Sequence, residues 1–271
     1  MKVAVFALFP FFLFSSLCAQ SSETLGPGAQ SLAMGNCRLL SEGSWRSYHH
    51  PAVLGQSEQK KIGLSLYSST AQRGQGIHAH GVAAQYCWND QGIGLGLQKR
   101  AQPGIDDLVM HLGYGRKIFN ELHIGICFER NSLHIPSESI RFAPAYSTAV
   151  SAHYRFSPLL AASGIWRHRH HKGWHNETPS SAFRVGLDWI ANNSTEVMVE
   201  WGGVPSSLIQ WHFGLLQRFR NGCAGFIGLG GLPLHLGWGF QWEERSFSIA
   251  ISAMWSPARP GAGAVEIAYG S

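Results

Sequence analysis

The chain has 271 residues, with 21 Lys plus Arg against 16 Asp plus Glu and a formal net charge of +5. Only 14% of residues are charged, far below the quarter typical of soluble domains, yet mean hydropathy is −0.05. The positive charges are scattered along the chain and not clustered, which excludes a nucleic-acid surface; few charges with 32 Gly and 10 Trp fit a strand barrel that has a lipid face and a lumen.

Residues 1–19 read as an export signal. Lys2 supplies the positive start, Val3–Phe14 is apolar apart from Pro10, and Leu17-Cys18-Ala19 offers a cleavage site that leaves Gln20 first. A lipid-modified Cys18 is disfavoured by the bulk of Leu17 before it. The leader is shorter than the roughly 18–20 apolar residues of a membrane helix, and no later segment reaches that length. A mature chain that spans a membrane must therefore do so as a closed barrel, since lipid leaves no partner for an open sheet edge.

Residues 20–60 break regularity at Gly26, Pro27, Gly28 and Gly35 and precede the first strand pattern. They are expected to fold inside the lumen as a small plug or to cover the periplasmic mouth. From Lys61 onward, residues alternate apolar and small or polar, the period of a strand with two different faces. Lys61–Ser69 shows Ile62, Leu64 and Leu66 on one face. Gly76–Trp88 runs to a turn at Asn89-Asp90-Gln91-Gly92, and Gly92–Arg100 sets Ile93, Leu95 and Leu97 against Gly94 and Gly96. Asp107–Lys117 sets Leu108, Met110, Leu112 and Tyr114 against His111, Gly113 and Gly115. Leu122–Arg130 sets Ile124, Ile126 and Phe128 against His123, Gly125, Cys127 and Glu129.

Further segments continue the pattern. They are Ala145–Phe156, the less regular Leu159–His170, Ala182–Ala191, Thr195–Val204, Ser206–Arg218, Gly222–Leu229, Leu232–Trp242, Ser246–Trp255 and Gly263–Tyr269. The clearest is Leu232–Trp242, with Leu232, Leu234, Leu236, Trp238, Phe240 and Trp242 on one face and Pro233, His235, Gly237, Gly239 and Gln241 on the other. About ten tilted residues cross a bilayer as a strand. The expected fold is all-β: a transmembrane antiparallel barrel of about fourteen strands over 61–271, within about two strands of boundary error. A soluble sandwich or propeller would carry shorter strands and more charge. Trp88, Trp166, Trp189, Trp201, Trp238, Trp242 and Trp255, with Tyr67, Tyr86 and Tyr269, fall near strand ends, where an aromatic girdle would put them.

The irregular N-terminal segment carries a motif. It reads Gly28-Ala29-Gln30-Ser31-Leu32-Ala33-Met34-Gly35 and, some fifteen residues later, Pro51-Ala52-Val53-Leu54. This resembles the start of PorV/FadL-like outer-membrane barrels, at Gly28, Ala29, Ser31, Ala33, Met34, Gly35, Pro51, Ala52 and Leu54. Gln30 stands where that pattern has a basic residue, and His50 where it has Asn. The resemblance implies a fourteen-stranded barrel with an N-terminal plug or hatch, in the outer membrane of a Gram-negative, Bacteroidetes-like bacterium.

Candidate chemistry is sparse. Arg167-His168-Arg169-His170-His171-Lys172 reads as a basic strand end meeting water or headgroups, because its cations would repel a metal. His78 and His80, with Ser68 and Ser69, lack a third residue to orient a catalytic imidazole. Gly92-Ile93-Gly94-Leu95-Gly96 precedes no helix, so it cannot cradle phosphate; glycine on an inner strand face instead makes room for lumen side chains or a plug. Cys37, Cys87, Cys127 and Cys223 form no CxxC and read as unpaired structural thiols. No catalytic residue, metal or cofactor is expected. Candidate lumen residues are His111, Glu129, Arg155, Arg184, Asp188, His235 and Gln241. Outer-membrane lipid is the expected surrounding. The resemblance implies either a component of the secretion machinery with protein partners or, as the alternative, a transporter of small hydrophobic compounds; the polar lumen list tilts toward the first.

Overall fold

The computed structural model describes residues 28–270 except 40–42, 57–59, 72–76, 103, 136–139, 142–143, 171–179, 204–208, 232–233 and 258. The leader, Leu232 and Pro233 therefore lie outside the described residues.

The strands are β1 (Lys61–Ala71), β2 (Ile77–Trp88), β3 (Gln91–Gln102), β4 (Ile105–Lys117), β5 (Leu122–Ile135), β6 (Ile140–Arg141) and β7 (Ala145–Ser157). They continue as β8 (Leu160–His170), β9 (Ser180–Asn192), β10 (Thr195–Gly203), β11 (Gln210–Arg218), β12 (Cys223–Gly230), β13 (His235–Glu244), β14 (Phe247–Ser256) and β15 (Arg259–Gly270). Every neighbouring pair is antiparallel. The first long strand pairs with the last, Leu64 opposite Tyr269, and β4 pairs with β5, so the sheet closes on itself. The two-residue β6 hangs on the end of β5, which leaves a ring of fourteen strands. Closure removes every unpaired edge, as a strand structure in lipid requires.

Alternation decides which face points out. In β4, Leu108, Met110, Leu112 and Tyr114 are exposed, while Val109, His111, Gly113 and Gly115 are buried. The same holds around the ring, from Ile62, Leu64 and Leu66 to Val265, Ile267 and Tyr269. So much contiguous apolar surface is far beyond what a soluble protein leaves in water; it forms a lipid-facing band. The segment whose sequence alternates most clearly carries β13, the twelfth strand of the ring; Leu234 just before it and Trp238, Phe240 and Trp242 within it are exposed.

Tight connections gather at one end. Asn89 and Asp90 both take positive φ, 43° and 63°, as a two-residue hairpin demands. Pro158-Leu159, Asn193-Ser194 and Arg245-Ser246 make equally short turns there, beside the start of β1 and the end of β15. The longest connections, between β5 and β7 and between β8 and β9, lie at the opposite end, alongside two-residue ones between β3 and β4 and between β14 and β15. In barrels of this architecture short turns face the periplasm.

Three helical turns precede the ring: α1 (Ala29–Ala33), α2 (Arg46–His49) and a 3-10 turn, Pro51–Gln56. They pack against the inward faces of the strands. Trp45, Ala29 and Leu32 cluster with Tyr67, Ala83 and Ala250; Met34 and Cys37 cluster with Met198, Leu216 and Phe226; Leu39 clusters with Cys127, Ala149 and Ile165. The interior of the barrel is thus packed by the N-terminal segment against side chains of the strand walls.

Candidate functional site

The lumen is where this chain concentrates polar chemistry, and the N-terminal segment occupies it. Seating it requires walls without side chains. A side chain on Gly115 would collide with the Pro51 carbonyl, one on Gly125 with the Ala52 backbone, one on Gly228 with the Met34 backbone and one on Gly237 with the Leu32 carbonyl. Gly94 and Gly113 make the same room for Ser47. Gly35 has φ +63°, and a side chain there would lie 2.6 Å from the Leu229 backbone, so only glycine fits.

The part of the segment from Gly28 to Leu39, here called the first lobe, is held mainly by two buried carboxylates. Glu266 accepts the Ala29 N–H at 2.9 Å and the Ser65 hydroxyl at 2.6 Å; Ser65 in turn accepts the Trp45 indole N–H at 3.1 Å. Glu200 accepts the N–H groups of Arg38 and Leu39 at 2.7 and 2.6 Å and pairs with Arg184 at 3.3 Å. Arg184 also donates to the Asn36 carbonyl at 3.2 Å. His212 Nδ1 and His235 Nε2 lie 2.7 and 3.1 Å from the Gly35 carbonyl oxygen.

The second lobe, Gly43–Gln56, meets the opposite wall. His111 Nε2 is 2.9 Å from Ser47 Oγ, and Ser151 accepts the Ala52 N–H at 2.9 Å. Arg167 donates to the Tyr48 carbonyl at 2.8 Å, stacks over the Tyr48 ring at 4.5 Å and pairs with Glu129 at 3.2 Å. His50 Nε2 donates to the Ala152 carbonyl at 3.1 Å. Burial pushes the His50 pKa down to about 4, against the smaller opposing effect of its backbone hydrogen bonds.

Beside the second lobe, at the short-turn mouth, is a cavity of about 230 Å³ between Arg46, Val53 and Gln56 and the ends of β7 to β11. Arg155 and Asp188 line it, as do His153, Glu196 and Arg218. Glu196 and Arg218 pair at 3.0 Å.

The structure places His111, Glu129, Arg184 and His235 against the inner segment, and Arg155 and Asp188 at the cavity. Gln241 is half-buried, opposite Ala224 and Ala250. The motif residues are all buried in the segment: the Ala29 amide meets Glu266, Ser31 Oγ donates to the Gly28 carbonyl at 3.0 Å, and Leu54 packs over Gly92.

Sequence reasoning missed Glu200 and Glu266, the two carboxylates that bind the first lobe. Each is a lone acid between apolar neighbours, Val199 and Trp201 or Val265 and Ile267, and period-two alternation alone would have turned both inward. The basic run is also split by the strand over 167–170: Arg167 enters the lumen, while His168 and His170 lie outside with Trp166, the ring of His168 stacked on it at 5.7 Å; His171 and Lys172 lie outside the described residues. Tyr67 is not a girdle residue; it is 3% exposed and packs edge-on against Trp45 inside the barrel. His78 and His80 point outward, His80 against Ser68 at 3.1 Å. Among the described residues Cys37, Cys87, Cys127 and Cys223 are free thiols.

A closed fourteen-stranded ring with an apolar outer band and a filled polar lumen defines a transmembrane β-barrel of the outer-membrane type. Among solved structures it is similar to the CymD monoaromatic hydrocarbon channel, with a TM-score of 0.72 and 11% identity over 92% of this chain and 98% of that one. It is also similar to the Ralstonia pickettii toluene transporter TbuX (TM-score 0.66, 12% identity, 90% and 97% covered). The Pseudomonas putida toluene transporter TodX gives a TM-score of 0.59 at 11% identity, with 90% and 96% covered. At these identities the likeness is one of fold. No protein-family model matches the chain, and no curated protein sequence matches it.

Proposed function

We propose that this chain is a non-enzymatic channel of a Gram-negative outer membrane that passes small hydrophobic molecules, with Gly28–Gln56 as its plug. The observation that carries this reading is where the polar lumen groups go. An inner face rich in Glu, Arg and His argues against an apolar route only if those groups line an open path. Here Glu200, Glu266, Arg167, Arg184, His111, His212 and His235 are engaged in holding the N-terminal segment. Their polarity belongs to the plug's seat, and the transport reading no longer conflicts with it. The fold likeness to hydrocarbon channels and toluene transporters supports the same direction. The secretion-component reading gains no support from those structures, and with it goes the reason to place the chain in a Bacteroidetes-like bacterium.

The test is uptake. The full chain is expressed in a Gram-negative host, and its outer-membrane fraction is checked for a heat-dependent shift in gel mobility. Entry of radiolabelled toluene is then measured. Several-fold faster entry than in cells with an empty vector supports the reading. Unchanged entry, with protein partners of the secretion machinery co-purifying stoichiometrically, would overturn it.

A further inference from the structure

The two lobes of the N-terminal segment are seated by different chemistry. The first lobe rests on carboxylates; the second rests beside a cluster of imidazoles. His50, in the segment, lies with its ring 6.0 Å from that of His153, and His153 lies 5.8 Å from His123. His50, His123 and His153 are all buried. Strand register makes the cluster intolerant of charge. His123 stands opposite Lys117 on one side and His153 on the other. The first lobe's seat also holds two close histidines, His212 and His235, with rings 5.8 Å apart, but there His212 stands directly opposite Glu200, whose carboxylate also binds the lobe's Arg38 and Leu39 amides. A proton on His212 meets a carboxylate, whereas a proton on His123 meets a lysine and a second imidazole.

We infer that protonation of the His50–His153–His123 cluster unseats the second lobe while the first lobe stays bound, so that acid opens the barrel along the cavity at the short-turn mouth. Like charges about 6 Å apart in a water-poor interior repel strongly. Removing a buried imidazole from contact with water already opposes its charging. Cations beside the cluster add to the repulsion: Arg155 from β7, Lys117 from β4 and Arg46 of the segment, which lines the cavity with His153. The acids in reach are occupied or distant from the centre. Asp90 lies 3.7 Å from Lys117, Glu129 pairs with Arg167 and Glu196 pairs with Arg218, while Asp188 on β9 stands two strands from Arg155, in register with Ala161. His49, next to His50, packs on the Tyr48 ring and adds a further titratable neighbour.

The direction of release follows from the packing. Pro51, Ala52 and Leu54 lie tight against β3, β4 and β5. Towards the ends of β8 to β11, the same lobe meets the cavity that His153 and Arg155 line. The cavity is therefore the space open to the lobe once the cluster no longer holds it. This inference does not depend on what the channel carries, since the plug moves with or without cargo.

The experiment is hydrogen exchange on the full chain folded into phosphatidylcholine vesicles, without cargo. Backbone protection is corrected for the intrinsic effect of pH on exchange and compared at pH 7.5 and pH 4.5. Protection within 46–54 is expected to fall at least tenfold at the lower pH, with protection in 29–39 changing less than threefold. In the His153→Gln variant, once a heat-dependent mobility shift shows it folded, most of the fall in 46–54 is lost. Equal protection at both pH values in the unsubstituted chain, or loosening of both lobes together, overturns the inference whatever the variant does. A fall of the same size in folded His153→Gln also overturns it.

Discussion

The carboxylate of Glu266, near the end of the chain, accepts the backbone N–H of Ala29, near its start, at 2.9 Å. The last strand of the ring therefore holds the first helical turn inside it, and the barrel must be nearly complete before the segment can seat. Glu266→Ala leaves the Ala29 N–H and the Ser65 hydroxyl without their acceptor. Each orphaned buried donor costs about 1–3 kcal/mol, so exchange protection at Ala29 and its neighbours is expected to drop by roughly ten- to a hundredfold. Glu266→Gln keeps an acceptor oxygen and is expected to cost less than half as much. Equal losses in both variants would mean that the carboxylate's hydrogen bonds do not anchor the lobe.

Glu200 has a heavier duty, because it satisfies the Arg38 and Leu39 amides and also balances Arg184. Glu200→Ala leaves the part-buried Arg184 guanidinium without its carboxylate, though still bonded to the Asn36 carbonyl, and leaves two buried donors without their acceptor. Removing one partner of a buried ion pair typically costs about 3–5 kcal/mol. A matching fall in the urea stability of the folded barrel is expected, whereas the double change Glu200→Ala, Arg184→Met should recover part of it. No recovery in the double variant would assign the loss to the amides alone.

The strand pattern was legible because a closed barrel has only two environments, lipid and lumen, and side chains alternate between them. Lys61–Ser69 and Asp107–Lys117 could be read from their leucines without knowing any partner. The seat of the N-terminal segment was less legible because it depends on register, which links residues far apart in sequence. Nothing near Glu200 says that its acceptors serve Arg38 and Leu39, some 160 positions earlier. The inner glycines, by contrast, were readable as room for something: Gly94, Gly113 and Gly115 each mark a place where the segment touches the wall. Strand ends misled most. Tyr67 sits beyond Leu64 and Leu66 but on the opposite face, and closeness to a strand end says nothing about which face a ring occupies.

Those glycines give a sharp contrast. A valine at Gly115 or Gly228 would overlap the backbone of Pro51 or Met34, and backbone cannot rotate away. The variants are expected to fold, because the outer band is untouched, but to hold the segment about 1–3 kcal/mol less tightly, as overpacked sites generally do. Single-channel recording in planar bilayers should then show raised ion conductance. Gly164→Ala adds a methyl 3.7 Å from its nearest neighbour, the Arg184 carbonyl, and should conduct like the parent. A silent Gly115→Val would argue that the seat yields without opening a path.

The outer band makes a prediction about depth. Leu95 is 57% exposed, with Ile93 and Leu97 on either side of it on the same face of β3. Leu95→Arg places a charge near the middle of the hydrocarbon and is expected to destabilise the lipid-folded barrel by about 2–4 kcal/mol. Ser68→Arg, beside His80 at the polar edge of the band, should cost no more than about 1 kcal/mol. Denaturant titration in vesicles measures both. Equal effects would mean that the band does not sit in lipid as the alternation implies.

His50 sets the final expectation, a dependence on pH with a definite sign. Its pKa in the folded protein is about 4, against an ordinary value near 6.5, because burial opposes the charged form. Above pH 6.5 the imidazole is neutral in folded and unfolded chains alike, and its contribution to stability is fully present. As pH falls from about 6.5 to about 4, the unfolded chain takes up the proton first and stability drops; below about 4 both states are protonated and the loss levels off. For a side chain this fully buried the whole loss is at most about 3 kcal/mol. Urea midpoints measured at pH 8, 6, 5 and 3.5 should converge for the parent and His50→Gln as the pH falls, because glutamine carries no such proton. Parallel curves across that range would show that His50 does not titrate between its two environments, and the acid response of the barrel would then have to come from the histidines of the wall.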